Sequence, residues 1–481
     1  MNGKENKIII SLDAIVHNYN VIKQKVGNID IMPVLKADAY GSGSIEVAEV
    51  LINKCNCKNF FVFNIFEGVE LRKKFKNKIN NIFILSACLK NEENILIRNH
   101  LTPIIENFEQ LERLTKYDID FGLFFNTGMN RNGFSINDID KIKRITQNID
   151  KIKVIVSHMA CGEEYGIVSQ MQIENFNKTT QHFPNTKKSL FATNSIFTCT
   201  TNCDIVRPGI GLIDADITNN FKETITIKSY VKSIKNNKAI VPFGINNGLP
   251  EMYCKNGGCF VINNKEYKVK KIALNYSVLS VDNTVKINDE VVIADDNFSV
   301  KNIEDKSFYD SNNVLRKELG SRFMLSKKNK KYYKLDNILI KKRNSYKKYE
   351  NTHIKNLQDR IETSILNIIR VGENGIVGYG ATANVKKGDV LATVYGGYSD
   401  GISRYLSNTG WFYVADCKCK IIGRVSMDQV TILLDDKIKN TVQVGDITYL
   451  LKKDIEQILN KLKKEEIFYL LDKSKRVESI K

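Results

Sequence analysis

The stretch IMPVLKADAYGSGSIEVAEVLINKCNCKNFFVFN, residues 31–64, reads as strand, helix, strand. Its first apolar run ends at Lys36 and a glycine-punctuated turn follows. SIEVAEVLINKC (44–55) then spaces its apolar residues for one helix face, and FFVFN (60–64) is a second β-rich run. The same unit recurs outward along the chain. Further runs are IFILS (82–86), TPII (102–105), FGLFFN (121–126), VIVSH (154–158), SLFAT (189–193) and DIVR (204–207). Helix-like segments such as FEGVELRKKF (66–75), NFEQLERLTK (107–116) and SINDIDKIKRI (135–145) lie between them. Eight strand–helix repeats in roughly 200 residues predict an α/β fold, a (β/α)8 TIM barrel over 1–220.

Polar residues then fall where such a barrel keeps its chemistry. Lys36, Asn64, Ser86, Asn126, His158, Asn194 and Arg207 each end or directly follow an apolar run, and barrel active sites sit at the C-terminal ends of the strands. Singly, each residue reads equally well as a strand-end hydrogen-bonding group. Lys36 is the sharpest of them. Placed after Val34-Leu35 at a barrel mouth, its amine is expected to be partly desolvated, which disfavours the charge and makes it nucleophilic. A phosphate needs backbone N–H donors, often found after strands seven and eight. Ser195 and the Pro208-Gly209 turn occupy those places.

Bulk properties set the frame. A length of 481 residues calls for two or three domains. At 42% hydrophobic and 26% charged, the composition is that of a globular protein. The N-terminal apolar run, Ile8–Ile10, is too short for a signal peptide, and no segment approaches a membrane span, so a cytoplasmic location is expected. Ten cysteines follow no zinc or disulfide framework, so no metal is expected. The net charge of +18 permits nucleic-acid binding, but lysine is enriched everywhere and no binding motif accompanies the densest stretch, 327–348, so nucleic acid is not expected as a partner.

The motifs, taken together and in order, resemble the alanine racemase family. VLKADAYGSG (34–43) is similar to its pyridoxal-phosphate attachment motif. NTGMNRNGF (126–134), SHMACGEE (157–164), ATNSIF (192–197) and VRPGIGL (206–212) follow in the family's order. GIVGYGA (375–381), GGYSDGISRYLSN (396–408) and GRVSMDQV (423–430) resemble its mainly β C-terminal domain. The resemblance implies pyridoxal 5'-phosphate as cofactor and a small amino acid as substrate, L-alanine and D-alanine being interconverted for D-alanine biosynthesis. It implies that Lys36 holds the cofactor and is the base on the D face. Tyr379 would be the base on the L face, reaching in from the partner subunit of a head-to-tail homodimer. Tyr40, Ser195, Gly209, Ile210 and Tyr398 would hold the phosphate. Arg207 would face the pyridine nitrogen with His158 supporting it. Arg131 and the Met427 backbone would receive the substrate carboxylate, and Asp428 would orient the second-face site. The sequence departs from the family's pattern at Asn126, usually aspartate, and at Phe124, usually a lysine that is often carbamylated. It departs again at Ser42, usually histidine, and at Ile213-Asp214, usually tyrosine-glycine. A weakened pyridoxal-phosphate-binding pseudoenzyme and a racemase for another amino acid remain alternative readings.

The chain is longer than the family requires, and its middle explains the excess. IVPFGINNGLPEMYCKNGGCFVINNKEYKVKKIALNYSVLSV (240–281) reads as a worn version of 394–433, and KINDEVVIA (286–294) parallels QVGDITYLL (443–451). The tails 314–323 and 467–477 agree loosely. The expected organisation is the barrel at 1–220, a degenerate β-domain copy at 221–325, a linker at 326–360 and the catalytic β domain at 361–481. In the first copy Ile245 replaces Tyr398, Asn247 replaces Asp400, and Leu274-Asn275 replaces Met427-Asp428. Phe243 stands opposite Tyr379 in a second register. The second copy is expected to occupy the barrel mouth, with the first displaced outward and 224–356 dispensable.

Overall fold

Strands apolar on both faces must lie between two layers, whereas strands that alternate cover one face only. The chain uses both kinds. The structure, a computed structural model, describes residues 5–295 and 359–461 except 87, 147–148, 200–201, 214–217, 248, 250–251 and 401, together with 303, 330–333 and 355–356. Most of the expected linker and both tails lie outside the described residues.

After β1 (Lys7–Ser11) and the helix Leu12–Val26 comes a ring of eight parallel strands: β2 (Asp30–Ile31), β3 (Asn59–Val62), β4 (Asn81–Ile84), β5 (Thr102–Ile105), β6 (Phe121–Phe124), β7 (Ile152–Val156), β8 (Lys187–Ser189) and β9 (Ile205–Val206). β3 to β8 form one ladder and β2 pairs with β9. Bridges Val34–Phe61 and Ala192–Arg207 close the ring. Alternation sorts the side chains. Phe61 joins an inner cluster with Met32, Val34, Phe83, Ile104, Phe124, Val154, Val156 and Ile205. Its neighbours Phe60 and Val62 belong to the larger core that the helices cover. Each of the eight apolar runs overlaps one of these strands.

Two β units follow. The first comprises β10 (Ile225–Tyr230), β11 (Ser233–Lys235), β12 (Lys238–Val241), β13 (Cys259–Ile262), β14 (Lys265–Ile272), β15 (Ser277–Ser280) and β16 (Glu290–Ala294). After β17 (Lys330–Tyr333) and β18 (Lys355–Asn356), the second comprises β19 (Arg360–Arg370), β20 (Gly375–Val377), β21 (Ala383–Val385), β22 (Val390–Tyr395), β23 (Trp411–Val414), β24 (Cys417–Ile421), β25 (Gln429–Leu433) and β26 (Ile447–Leu451).

The strand order β12-β15-β14-β13-β16-β10 in the first unit matches β22-β25-β24-β23-β26-β19 in the second. Details match as well. Phe260 pairs with Tyr267 as Phe412 pairs with Cys419, across hairpins whose turn residues, Asn263-Asn264 and Ala415-Asp416, all have positive φ. A Cβ on Gly244 would meet the Ala273 carbonyl oxygen at 2.2 Å, and one on Gly397 would meet that of Ser426 at 2.1 Å. Gly244 N–H donates to Asn247 Oδ1 as Gly397 N–H donates to Asp400 Oδ2, both at 3.0 Å. The Asp400 position therefore keeps a turn-closing task in both units. These glycines also settle the register. Val231 and Ile365 correspond, since each N–H donates to the aspartate before the last strand, Asp289 or Asp446. From there the first unit reaches Val241 in ten positions where the second takes 29 to reach Val394. The β20–β21 hairpin that carries Tyr379 has no counterpart, so the Phe243–Tyr379 alignment is wrong.

The units sit in different places. β10 pairs antiparallel with β1, burying Ile8 and Ile10 beside Ile225 and Ile227. The first unit is thus not displaced outward but continues a sheet begun at the N-terminus. The second unit lies across the barrel mouth, through contacts given next.

Candidate active site

Lys36 directly follows the Val34-Leu35 segment that completes the ring. The next four residues, Ala37, Asp38, Ala39 and Tyr40, have φ of 49°, 57°, 52° and 55°, a left-handed turn without glycine. Such a conformation costs L-residues roughly 1–2 kcal/mol each, so the surroundings must enforce it. Glu67 Oε1 accepts from Ala37 N–H at 2.7 Å, and its Oε2 accepts from Phe63 N–H at 2.8 Å. Asp38 Oδ1 accepts from Ser44 N–H at 2.8 Å. Burial, with the Asp428 charge nearby, pushes the Glu67 carboxyl up to about 8 against the pull of its amide donors.

The turn throws the Tyr40 ring against Gly209. A Cβ there would stand 2.0 Å from the Tyr40 hydroxyl, so this approach exists only with glycine. Burial raises the Tyr40 and Tyr398 hydroxyls, the latter to about 12, so both remain protonated donors at neutral pH. The two hydroxyls, Ser195 and the Gly209-Ile210 backbone border one end of the cavity. This is a donor set into which an anionic group such as phosphate fits.

Lys36 Nζ lies 2.7 Å from Asp428 Oδ2. Burial alone would lower the ammonium, but the Asp428 carboxylate outweighs it and holds Lys36 above its ordinary value. The expectation that desolvation leaves the amine uncharged is therefore reversed, because a carboxylate enters from the second β unit. Tyr379 enters from the same unit. Its hydroxyl is 2.7 Å from His158 Nε2, and the Arg131 guanidinium carbon lies 5.5 Å from its ring centre. Backbone bonds dock this hairpin: Gly378 N–H donates to Met129 O at 2.9 Å and Gly380 N–H to Ala160 O at 2.8 Å. Tyr379 thus reaches Lys36's barrel within the one chain, where the resemblance implies entry from a partner subunit.

Arg131 is set by the loop after β6. Asn126 Oδ1 accepts from Gly128 and Asn130 N–H at 3.1 and 3.0 Å, a turn that the usual aspartate would make equally well. Asn130 Nδ2 donates to Ile376 O at 2.8 Å and Thr393 Oγ1 donates to Arg131 O at 2.6 Å, tying the loop to the second unit. Arg207 is buried on the floor. It donates to Ser189 O and Oγ at 2.7 and 2.5 Å and to Ser157 O at 2.6 Å, and burial lowers it to about 10, still charged at neutral pH.

One cavity of about 480 Å³ gathers Lys36, Tyr40, Arg131, His158, Ser195, Arg207, Gly209, Ile210, Tyr379, Tyr398, Met427 and Asp428. Three other strand-end residues serve locally. Asn64 caps the helix Ile65–Phe75, Asn126 folds its loop, and Asn194, though on the cavity wall, donates to Glu163. Sequence reasoning missed Glu106 and Arg404, which also line the cavity. Glu106 directly follows β5, so the strand-end rule would have found it. Burial pushes its carboxyl up to about 8, and Asn132 Nδ2 donates to its Oε1 at 2.9 Å. Arg404 stacks over Tyr398, 5.2 Å from the ring centre. Among the departures, Phe124 is buried in the inner cluster and also lines the cavity, Ser42 and Ile213 are buried, and Asp214 lies outside the described residues.

Comparison with known proteins agrees with this geometry. The family described as alanine racemase, N-terminal domain, matches residues 10–215, and alanine racemase, C-terminal domain, matches 359–480. The chain is 25% identical over 448 residues to an alanine racemase of Rickettsia prowazekii, covering 91% of this chain and 88% of that one. It is 26% identical over 447 residues to that of Rickettsia typhi, with the same coverage. Its fold is similar to that of an alanine racemase from Bartonella henselae with covalently bound pyridoxal phosphate, at TM-score 0.62 and 21% identity. That structure is covered to 99% by only 69% of this chain.

Proposed function

The chain belongs to the alanine racemase family, and on that premise we propose a residue-level assignment for its reaction, the pyridoxal-phosphate-dependent interconversion of L-alanine and D-alanine. The observation that carries the assignment is the single cavity in which Lys36, on the barrel, and Tyr379, on the second β unit, meet beside a glycine-dependent anion cradle. Lys36 holds the cofactor. Tyr40, Ser195, Gly209, Ile210 and Tyr398 hold its phosphate, and Arg207 stands at its ring nitrogen. When bound, pyridoxal phosphate supplies the electron sink that acidifies the substrate's α-hydrogen.

Inversion needs a proton removed on one face and returned on the other. Lys36 Nζ serves the D face and Tyr379 Oη the L face, each base contributing about 10²–10⁴-fold. A free tyrosine, near pKa 10, is a poor base, and its contact with His158 and the nearby Arg131 charge support this role for Tyr379. Arg131, with one buried guanidinium nitrogen lacking a partner, and the Met427 backbone receive the substrate carboxylate. Asp428 keeps the Lys36 amine in place and shares its proton. No feature of the cavity favours the pseudoenzyme reading. Among the described residues no helix is long and apolar enough to cross a membrane, and cytoplasmic residence belongs to the same proposal. The homodimer implied by the resemblance would here be an assembly of sites each complete in one chain.

The test is the purified protein loaded with pyridoxal phosphate. It should show the cofactor's visible absorbance and convert either alanine enantiomer to the racemate. Lys36→Ala should abolish both together. Borohydride reduction followed by peptide mapping should label Lys36, and a label on another lysine would overturn the assignment.

A further inference from the structure

The two β units occupy two positions that one unit cannot fill at once: the edge of β1 and the mouth of the barrel. The first unit holds β1 through β10. It lacks the hairpin that would carry a base, and its residues at the place of Met427 and Asp428 face water. Leu274 is 37% exposed and Asn275 is exposed as well, against 3% and 5% for Met427 and Asp428. The second unit holds the mouth. Its hold runs along the rim from Lys36 to Arg131: Asn64 Nδ2 to Tyr395 Oη at 3.2 Å, Asn107 Nδ2 to Asn367 Oδ1 at 3.1 Å, the Arg131 and Asn130 contacts, and the Lys36–Asp428 pair. Buried side chains from both sides, Phe63 with Leu366 and Tyr395, add an apolar seam.

We infer that each chain is catalytically self-sufficient: the second β unit closes its own barrel, the first takes over the β1 edge in its place, and no residue of another chain enters the site. This rests on the two-base reading of Lys36 and Tyr379. It explains why one unit keeps the polar loops and the other keeps only the strands. A unit that never meets a barrel mouth has no use for Tyr379, Tyr398 or Asp428, while its apolar alternation is still required to cover β1.

The test co-expresses Lys36→Ala and Tyr379→Phe chains under different tags. Mixed oligomers are isolated by tandem purification, with a wild-type pair as control. With sites built within one chain, every site in the mixture is damaged, and activity stays at the level of the two parents. With sites shared across a two-fold axis, one site of each mixed pair is intact and roughly half of the wild-type activity returns. Recovery overturns the inference. If no mixed oligomer forms, wild-type activity in a protein of monomer mass supports it directly.

A second readout does not use activity. Unlabelled and heavy-isotope-labelled wild-type chains, unfolded and refolded together, are treated with a zero-length carbodiimide that joins Lys36 to Asp428. Mass spectrometry of the joined peptide should show both halves light or both heavy, and mixed pairs would overturn the inference. A wild-type chain with no racemase activity but with unmixed peptides would sink the functional reading and leave standing only the assembly of the cavity within one chain.

Discussion

At the level of single residues, the site is a set of side chains whose protonation is set by what the second β unit brings. Lys36 would lose its charge to burial alone, and Asp428 reverses that. Tyr379 comes from the second β unit itself, and its hydroxyl lies 2.7 Å from His158 Nε2 on the barrel. Tyr379→Phe keeps the ring and removes only the hydroxyl. It should leave cofactor absorbance unchanged and slow inversion by about 10²–10⁴-fold. In heavy water, the α-hydrogen of D-alanine should still exchange through Lys36, while net inversion collapses. Equal loss of exchange and inversion would show that the hydroxyl only supports the loop. The twelve residues named from sequence were legible because they end strands or belong to ordered motifs. The left-handed turn at Ala37–Tyr40 was not legible. No glycine marks it, and its cause, the Glu67 carboxyl group at its base, lies in a helix thirty residues away.

At the level of elements, the two units offer an internal control, since they share strand order, hairpin register and a glycine pressed on a carbonyl. Gly397 carries the loop of Tyr398 and touches the backbone just before Asp428, whereas Gly244 carries a loop that does not line this cavity. Alanine at either position forces a Cβ to within 2.2 Å of a carbonyl oxygen, so both loops must move. Gly397→Ala and Gly244→Ala should each destabilise the protein, by about 1–3 kcal/mol, as overpacking does. Only Gly397→Ala should also weaken cofactor binding, measured by titrating pyridoxal phosphate against visible absorbance. Weaker binding in Gly244→Ala of the same size would mean that the first unit shapes the cavity. The barrel strands were readable because their runs are apolar on both faces. The lost hairpin was not, because aligning worn sequences hides a nineteen-residue gap that only the paired glycines and the Val231–Ile365 correspondence reveal.

At the level of the whole molecule, the placement of the second unit follows from the presence of the first. β1 is paired by β10 and β17, both of which belong to 224–356, and without them Ile8 and Ile10 need cover. Removing residues 224–356 and joining the ends with a short flexible linker leaves one unit for two positions. That unit cannot hold β1 and close the mouth of the same barrel, so two chains must exchange units to satisfy both. The shortened protein should therefore be active only as a dimer. Its specific activity should fall on dilution through the dimer's Kd, and mixing its Lys36→Ala and Tyr379→Phe forms should restore activity. The full chain should show neither behaviour, because dilution does not separate parts joined covalently. A shortened chain that stays monomeric and active at every concentration would mean that β1 needs no partner strand and that the first unit is not what holds the second in place. An active full chain that loses specific activity on dilution would mean that the mouth is closed by a neighbour after all.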